Sequence, residues 1–175
     1  SSAGLVNGDT LSGSLTTLAN ANSGIGSYAI NQGSLNASNY AISYNGALLT
    51  VTPRPLLISA GSFSRIYGDA NPAFTYASTG LVNGDVLTGS LATTANQSSN
   101  IGSYAVGQGS VAASANYSVT YAPGSLTITP RALSISANAV SRVYGDANPE
   151  LGYTSAGLVN GDTLAGALTT AANLR

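Results

Sequence analysis

The phrase that decides the fold of this chain is Gly80-Leu81-Val82-Asn83-Gly84-Asp85, which is repeated without change at residues 4–9 and 157–162. The copies begin 76 and then 77 residues apart. A fixed period of this kind is the sequence sign of a tandem array, in which each copy forms one structural module. We therefore predict an array of modules of about 77 residues.

Other phrases follow the same period and fix the boundaries of the copies. Residues 65–72 return as residues 142–149 with one change, and Pro53-Arg54 returns as Pro130-Arg131. The chain has no Met and begins within a module, so we expect it to be an internal piece of a longer polypeptide. The predicted parts are the later part of a first repeat at residues 1–53, a complete second repeat at 54–130, and the earlier part of a third repeat at 131–175.

The composition excludes several classes of protein. Charged residues make up only 6% of the chain and hydrophobic residues 43%, the opposite of the usual disordered sequence. Lys and Arg together number 5, which is too few to form a surface for nucleic acid. No apolar run reaches the roughly 20 residues that cross a bilayer. The absence of Cys excludes disulfide bonds, so packing, sheet hydrogen bonds and contacts between neighbouring repeats must supply the stability.

The dominant pattern is an alternation of hydrophobic and polar residues, which predicts strands. Seven strands at a spacing near eleven residues favour a small antiparallel Ig-like β-sandwich for each repeat. A β-grasp-like module with one short helix is the alternative, and periodicity does not choose between them. The strands predicted in the second repeat are 56–60, 63–67, 73–78, 87–93, 103–107, 117–121 and 125–129.

The turns between these strands follow from Asn, Gly and Pro. Asn45-Gly46 predicts a hairpin with a type I′ turn, and Pro123-Gly124 predicts the same hairpin in the next copy. Residues 81–85 could form one short helical turn. The segment Thr52-Pro53-Arg54-Pro55 predicts a short, stiff link between repeats, because Pro restricts both its own backbone and that of its predecessor. Many copies would then make a long narrow rod.

The order of the recurrent phrases resembles the MBG domain of the YGX type. The phrases that carry the resemblance are residues 67–72 (Tyr-Gly-Asp-Ala-Asn-Pro), 80–85, 101–104 and 115–117, followed by 126–130. That family occurs in long tandem arrays in filamentous-haemagglutinin-like and other giant bacterial adhesins. The resemblance covers essentially the whole chain and implies secreted or cell-surface repeats, with no catalytic residues.

The tyrosines recur as completely as the glycines do. All ten form five pairs one repeat apart, which favours a role in building each repeat over a stacking platform for glycans. The positions that we predict to be structural in every repeat are Tyr67, Gly68, Asp69, Gly80, Asn83, Gly84, Asp85, Gly102, Tyr104, Asn116, Tyr117, Tyr121, Pro130 and Arg131.

The charged residues point to turns rather than to chemistry. All five Asp residues follow Gly, where Asx turns and capping explain them. Their oxygens could also coordinate Ca²⁺, but no EF-hand or Gly-Gly-x-Gly-x-Asp spacing is present, so we predict no metal and no cofactor. An Arg to Asp pair is expected within each repeat. No His, Cys or Lys is present, so we predict no catalytic, cofactor-binding or metal-binding residues and no enzyme.

These observations predict a structural repeat of a secreted bacterial surface adhesin, extracellular fibre or biofilm matrix protein, which acts as stalk or scaffold. Its expected partners are neighbouring copies of the same repeat, and its surface ligand is unknown. Two other hypotheses remain open. One is a self-assembling filament or sheath subunit joined head to tail into a homopolymer, and the other is a glycan-binding module.

Overall fold

The computed structural model of the protein describes residues 4–172, and within this range it contains twelve strands and no helix. The fold is therefore all-β with tandem repeats, as predicted, and the short helix of the β-grasp alternative is absent from these residues. The strands are β1 (Thr16–Thr17), β2 (Gly26–Asn31), β3 (Ala47–Val51), β4 (Arg54–Ala60), β5 (Ser62–Ile66), β6 (Tyr76–Thr79), β7 (Ala92–Thr93), β8 (Gly102–Gly107), β9 (Tyr117–Ala122), β10 (Gly124–Thr129), β11 (Ser134–Ala137) and β12 (Tyr153–Ala156).

The seven strands predicted in the second repeat correspond to β4 to β10. The largest difference is at 87–93, where only β7 forms, preceded by an isolated bridge between Thr88 and Ala112. Gly89 follows Thr88 and precedes β7. It has a φ of 85°, and a Cβ at this position would lie 2.1 Å from the carbonyl oxygen of Ser110. The chain therefore turns sharply at Gly89, and this turn interrupts the predicted ladder.

The chain divides into two compact units that each take part of the second repeat. The first comprises residues 4–58, 77–89 and 110–122, and the second comprises residues 59–76, 90–109 and 123–172. The first unit holds the sheet β1-β2-β3 and most of the sheet β6-β4-β9. The second unit holds the sheet β5-β10-β8-β7 and the pair β11-β12.

The predicted hairpin of 117–121 with 125–129 is wrong. β9 belongs to the sheet of β4, whereas β10 pairs with β8 in antiparallel and with β5 in parallel orientation. Gly124 does not have a positive φ, so Pro123-Gly124 does not reverse the chain. Instead, Gly124 passes so close to Gly61 that a Cβ would lie 2.0 Å from the carbonyl oxygen of Gly61. Gly61 leads into β5 and Gly124 leads into β10. Because the two strands start side by side and run in the same direction, they form a parallel pair.

The type I′ turn occurs in the recurrent phrase and not at Asn45-Gly46. Asn83 and Gly84 have φ values of 57° and 77°, and Asp85 N–H donates to the carbonyl of Val82 at 3.0 Å. The other two copies of the phrase have the same positive φ values and the same hydrogen bond. The predicted short helical turn is therefore wrong, because two successive residues with positive φ cannot belong to a right-handed helix.

The Asn45-Gly46 hairpin is also wrong, because residues 40–44 do not form a strand. β3 instead pairs with β2 in antiparallel orientation, with Leu49 opposite Tyr28. The Tyr44 hydroxyl donates to the carbonyl oxygen of Ile30 at 2.8 Å. Residues 40–44 thus contact β2 through a side chain, and a ladder with β3 is not needed to hold them.

Each compact unit has its own buried apolar residues. In the first unit they include Leu56, Ile58 and Val111, and in the second they include Leu126 and Ile128. The pairs two residues apart follow the alternation that predicted these strands. Phe63 and Phe74 add an edge-to-face contact, with ring centroids 5.1 Å apart, in the second unit.

One charged side chain is buried in the second unit. Arg65 is 7% exposed, and its Nε donates to Asn71 Oδ1 at 2.8 Å while its terminal nitrogens donate to the carbonyls of Ile66 and Asn96. Asn71 in turn donates to the carbonyl of Ala95 at 2.7 Å. Neutral oxygens satisfy this guanidinium, so the Arg to Asp pair expected within the repeat does not form here.

Candidate functional site

The recurrent phrase lies at the junctions between successive repeats, and each junction belongs to one compact unit. β3 ends at Val51 and β4 begins at Arg54, so the first repeat leads into the second after two residues. β10 ends at Thr129 and is followed by Pro130 and Arg131. We call the contacts between the first and second repeats the first junction, and those between the second and third repeats the second junction.

The first junction is held by Asn side chains of the second repeat. Asn83 Nδ2 donates to the carbonyl of Ala21 at 3.2 Å, and Asn116 Oδ1 accepts from the backbone N–H of Ile25 at 3.0 Å. The backbone of Asn116 also accepts from Arg54 N–H at 2.9 Å, and Arg54 Nε donates to the carbonyl of Gly80 at 3.0 Å. The loop that precedes β2 is therefore bonded to the turn of the next repeat.

A Tyr–Asp pair holds the turn itself in place. Tyr117 is buried, and its hydroxyl donates to Asp85 Oδ2 at 2.6 Å and accepts from Val82 N–H at 3.1 Å. Tyr40 and Asp9 make the same pair in the first repeat, at 2.8 Å. The hydrogen bond to the Asp85 carboxylate raises the pKa of Tyr117 above its ordinary value, because the hydroxyl must keep its proton to donate this bond.

The second junction adds charge and tyrosine contacts. Arg131 Nε donates to the carbonyl of Tyr67 at 2.7 Å, and its guanidinium forms an ion pair with Asp69. The Tyr67 hydroxyl donates to Asp162 Oδ1 at 3.2 Å. The ion pair between Arg and Asp that we expected within a repeat thus occurs between two repeats, because Arg131 follows β10 and lies beside the turn after β5.

Gly68 lies at the centre of the second junction. Its φ of 86° is in the left-handed region, and the residue is buried. A Cβ at Gly68 would lie 2.5 Å from Val159 Cγ2 and 3.1 Å from Val159 Cβ. Gly is thus required here both by the backbone conformation and by the side chain of the next repeat that packs on it.

One hydrogen bond is common to both junctions. Asn160 Nδ2 donates to the carbonyl of Gln97 at 3.3 Å, which repeats the bond from Asn83 to Ala21 at 3.2 Å. Ala21 and Gln97 occupy equivalent positions one repeat apart, although their side chains differ. Because the acceptor is a backbone carbonyl, recurrence of residue type could not have revealed it.

Most of the positions predicted from recurrence lie at the junctions. Those that do not are Gly102, Tyr104 and Tyr121, which lie in β8 and β9, and Pro130, which only precedes Arg131. Tyr104 donates to the carbonyl of Asn100 at 2.9 Å within its own repeat. The predicted positions that the junctions bring together are Tyr67, Gly68, Asp69 and Arg131 at the second, and Gly80, Asn83, Gly84, Asp85, Asn116 and Tyr117 at the first.

The hydroxyls of Tyr28, Tyr40, Tyr44, Tyr104 and Tyr117 each donate to a carbonyl or carboxylate oxygen of their own repeat, and the hydroxyl of Tyr67 donates to Asp162 of the next repeat. Two tyrosine rings are exposed, Tyr144 at 87% and Tyr153 at 40%. Exposed rings are the ones that could stack on a sugar or contact another protein.

A small ligand or a metal would need a cavity or a cluster of ligating side chains. A crevice of about 190 Å³ at the first junction is lined in part by Ala21, Ile25, Arg54, Asn83 and Tyr117. Residues 4–172 contain no group of three or more His, Cys, Asp or Glu side chains that could hold a metal ion. The expectation that the protein binds no metal or cofactor stays a prediction. Within the same range, no helix is long and apolar enough to span a membrane.

The fold and the junctions define an all-β tandem-repeat protein in which the most constant phrase bonds each repeat to the one before it. The chain belongs to the MBG domain family of the YGX type, whose family model matches residues 1–50, 56–127 and 133–174. Membership indicates a repeat module of adhesin-like surface proteins. No curated protein and no solved structure matched the chain.

Proposed function

We propose that this chain is a segment of a secreted bacterial adhesin or extracellular fibre, in which successive repeats form a stalk or matrix scaffold. The observation that carries the proposal is the hydrogen bond that recurs at both junctions, from Asn83 to Ala21 and from Asn160 to Gln97. A stalk needs neighbouring repeats to be bonded in the same way along its length. Repeats joined only by a flexible linker would not reproduce a side-chain contact.

The second junction supports the proposal further, because several contacts of different kinds meet there. The ion pair of Arg131 with Asp69, the bond from Tyr67 to Asp162, and the packing of Val159 on Gly68 all join the second repeat to the third. Interfaces between neighbouring repeats are a main source of stability in tandem arrays. A chain without disulfide bonds has particular need of them.

An engineered disulfide tests the second junction directly. The chain has no Cys, so the double variant Gly68→Cys, Val159→Cys contains only the new pair. A Cβ at Gly68 would lie 3.1 Å from that of Val159, close to the separation of about 3.5–4.5 Å that disulfides adopt. We expect mild oxidation to give an intramolecular disulfide, seen by mass and by faster migration on a non-reducing gel.

The control for this experiment is the pair Gly145→Cys, Val159→Cys. Gly145 has a φ of 93°, like Gly68, but no heavy atom lies within 4 Å of the Cβ that it would carry. If the control pair oxidised as fast as the test pair within the same molecule, the junction would not be formed in solution and the stalk proposal would fail.

The location outside the cell is part of the proposal, and the family and the composition support it. An antibody raised against the chain should label the surface of intact source cells, and negative-stain microscopy should show thin threads. Labelling only after the cells are broken open would contradict the proposed location. We also propose that the chain has no catalytic role, because it contains no His, Cys or Lys.

A further inference from the structure

Each copy of the recurrent phrase places Asn directly before Gly in an exposed turn. Asn83 and Gly84 are exposed, as are Asn160 and Gly161, and no heavy atom lies within 4 Å of the Cβ position of either Gly. Gly has no side chain to hinder its backbone nitrogen, so in Asn-Gly this nitrogen attacks the preceding carboxamide more readily than in other dipeptides. The turns therefore contain both reacting groups and admit the water that the reaction consumes.

The reaction of these two groups is deamidation. The backbone nitrogen of the Gly forms a bond with Cγ of the Asn, the bond from Cγ to Nδ2 breaks, and Nδ2 leaves as ammonia with the proton of the Gly nitrogen. Water then opens the succinimide ring at either carbonyl and leaves aspartate or isoaspartate. Both products carry a carboxylate, which cannot donate the hydrogen bond that Nδ2 donates.

The closed turn keeps the reacting groups apart. In a type I′ turn the first central residue has a ψ near about +30°, which directs the next backbone nitrogen away from the side chain of that residue. Asp85 N–H donates to the carbonyl of Val82, and Val82 N–H donates to the Tyr117 hydroxyl, so both ends of the turn are held. Ring closure therefore requires the turn to open.

The junction restrains the carboxamide itself. Asn83 Nδ2 donates to the carbonyl of Ala21 at 3.2 Å, and Asn160 Nδ2 donates to the carbonyl of Gln97 at 3.3 Å. The carboxamide must leave this acceptor before Cγ can approach the Gly nitrogen. Asn7 has the same turn, with a φ of 55°, but its side chain has no hydrogen bond to any of residues 4–172. Asn7 is therefore an internal reference for the turn without the junction bond.

We propose that Asn83 and Asn160 are sites of spontaneous deamidation that the closed junctions protect, so that the modification marks junctions that have opened. The inference rests on the proposed function, because the bond that joins the repeats is the bond that protects the site. A junction that opens and is modified cannot re-form this bond. Isoaspartate also adds a methylene group to the backbone of the turn. Deamidation thus makes the opening of a junction irreversible.

The three copies can be compared within one folded chain, because their residues from Gly to Asp are identical. The full chain is incubated in heavy-oxygen water, and tandem mass spectrometry measures the label incorporated at each Asn. We expect Asn83 and Asn160 to react more slowly than Asn7 by roughly twofold to tenfold, the factor that one hydrogen bond supplies. In urea, where no junction forms, the three rates should be equal. Equal rates in the folded chain, or no reaction at any of the three sites, would overturn the inference.

The double variant Gly68→Cys, Val159→Cys tests the protection at one junction, because its oxidised and reduced forms have the same sequence. Oxidation closes the second junction covalently, so we expect Asn160 to react at least about twofold more slowly than in the reduced form. Asn83 belongs to the other junction and should react at the same rate in both forms. An Asn160 rate that does not change on oxidation would contradict the proposed protection.

The substitution Asn160→Asp reproduces one product of the reaction and tests its consequence for the junction. It should lower the melting temperature more than Asn7→Asp does, because only the Asn160 carboxamide donates to the preceding repeat among the two. Equal losses for the two variants would reject the irreversible opening.

The outcomes separate this inference from the proposed function. A disulfide between positions 68 and 159 that forms without slowing the reaction at Asn160 would retain the stalk and reject the protection. Failure of this disulfide to form would reject the junction itself, on which both proposals rest.

Discussion

The substitution Gly68→Ala tests whether the second junction stabilises the fold. Gly68 has a φ of 86°, and its absent Cβ would lie 2.5 Å from Val159 Cγ2. An L-residue in the left-handed region costs about 1–2 kcal/mol. Forcing an extra methyl group into a packed site costs about 1–3 kcal/mol more. We therefore expect Gly68→Ala to lower the free energy of unfolding by about 2–5 kcal/mol.

Gly145→Ala provides the matched control, because Gly145 has a similar φ of 93° and open space around its Cβ position. Both residues belong to the second compact unit. The control carries the backbone strain alone, so we expect a loss of about 1–2 kcal/mol. The difference between the two variants isolates the contact with Val159.

Urea unfolding followed by circular dichroism measures both variants. Val159→Ala in the Gly68→Ala background removes Cγ2 and should restore part of the lost stability, which appears as a coupling energy of about 1 kcal/mol in a double-mutant cycle. Equal losses for Gly68→Ala and Gly145→Ala, together with no coupling to Val159, would refute the reasoning. Val159 would then not pack on Gly68 in solution.

Four further predictions follow from the same contacts. Asn160→Ala should cost about 0.5–1.5 kcal/mol more than Asn7→Ala in thermal unfolding, because the Asn160 side chain donates to the carbonyl of Gln97 and the Asn7 side chain has no hydrogen bond to any of residues 4–172. Tyr117→Phe should lower the midpoint of urea unfolding, since it removes the hydrogen bond to Asp85. The pKa values of Tyr117 and Tyr121 are both raised, the second by burial. Their contribution to stability is therefore complete below pH about 10 and lost as the pH rises through the raised values, which a pH series of melting curves checks. A chelator should leave the melting temperature unchanged, and a fall reversed by Ca²⁺ would contradict this.

The positions of the strands could be predicted from the sequence because the alternation of side chains reports burial on one face. The predicted strands 103–107 and 125–129 differ from β8 and β10 by one residue at the start. The prediction of the last of these strands is accurate because Leu126 and Ile128 are buried while the threonines between and after them are exposed. A period of two gives the face of a strand but contains no information about its partner.

The pairing of the strands could not be predicted for that reason. Pro123-Gly124 carries the same local signal whether the chain reverses or passes between two sheets. The outcome depends on the close approach of Gly124 to Gly61, which is distant in sequence. Asn45-Gly46 failed for a similar reason, because Tyr44 already bonds to Ile30 and β3 pairs with β2. At Asn45-Gly46 and at Pro123-Gly124, contacts with residues distant in sequence therefore determined the strand pairing, and the local turn residues did not.

The Asp of the recurrent phrase makes different contacts in different copies. Recurrence in the sequence therefore identified it as a structural residue but did not show that it joins two repeats. Asp85 Oδ2 accepts from Tyr117 within its own repeat, whereas Asp162 Oδ1 accepts from Tyr67 of the preceding repeat. The two contacts use different oxygens, so one carboxylate can serve both the turn and the junction. Because the carboxylate has two acceptor oxygens, Asp at this position can accept from a tyrosine of its own repeat and from a tyrosine of the preceding repeat, which favours Asp in every copy of the phrase.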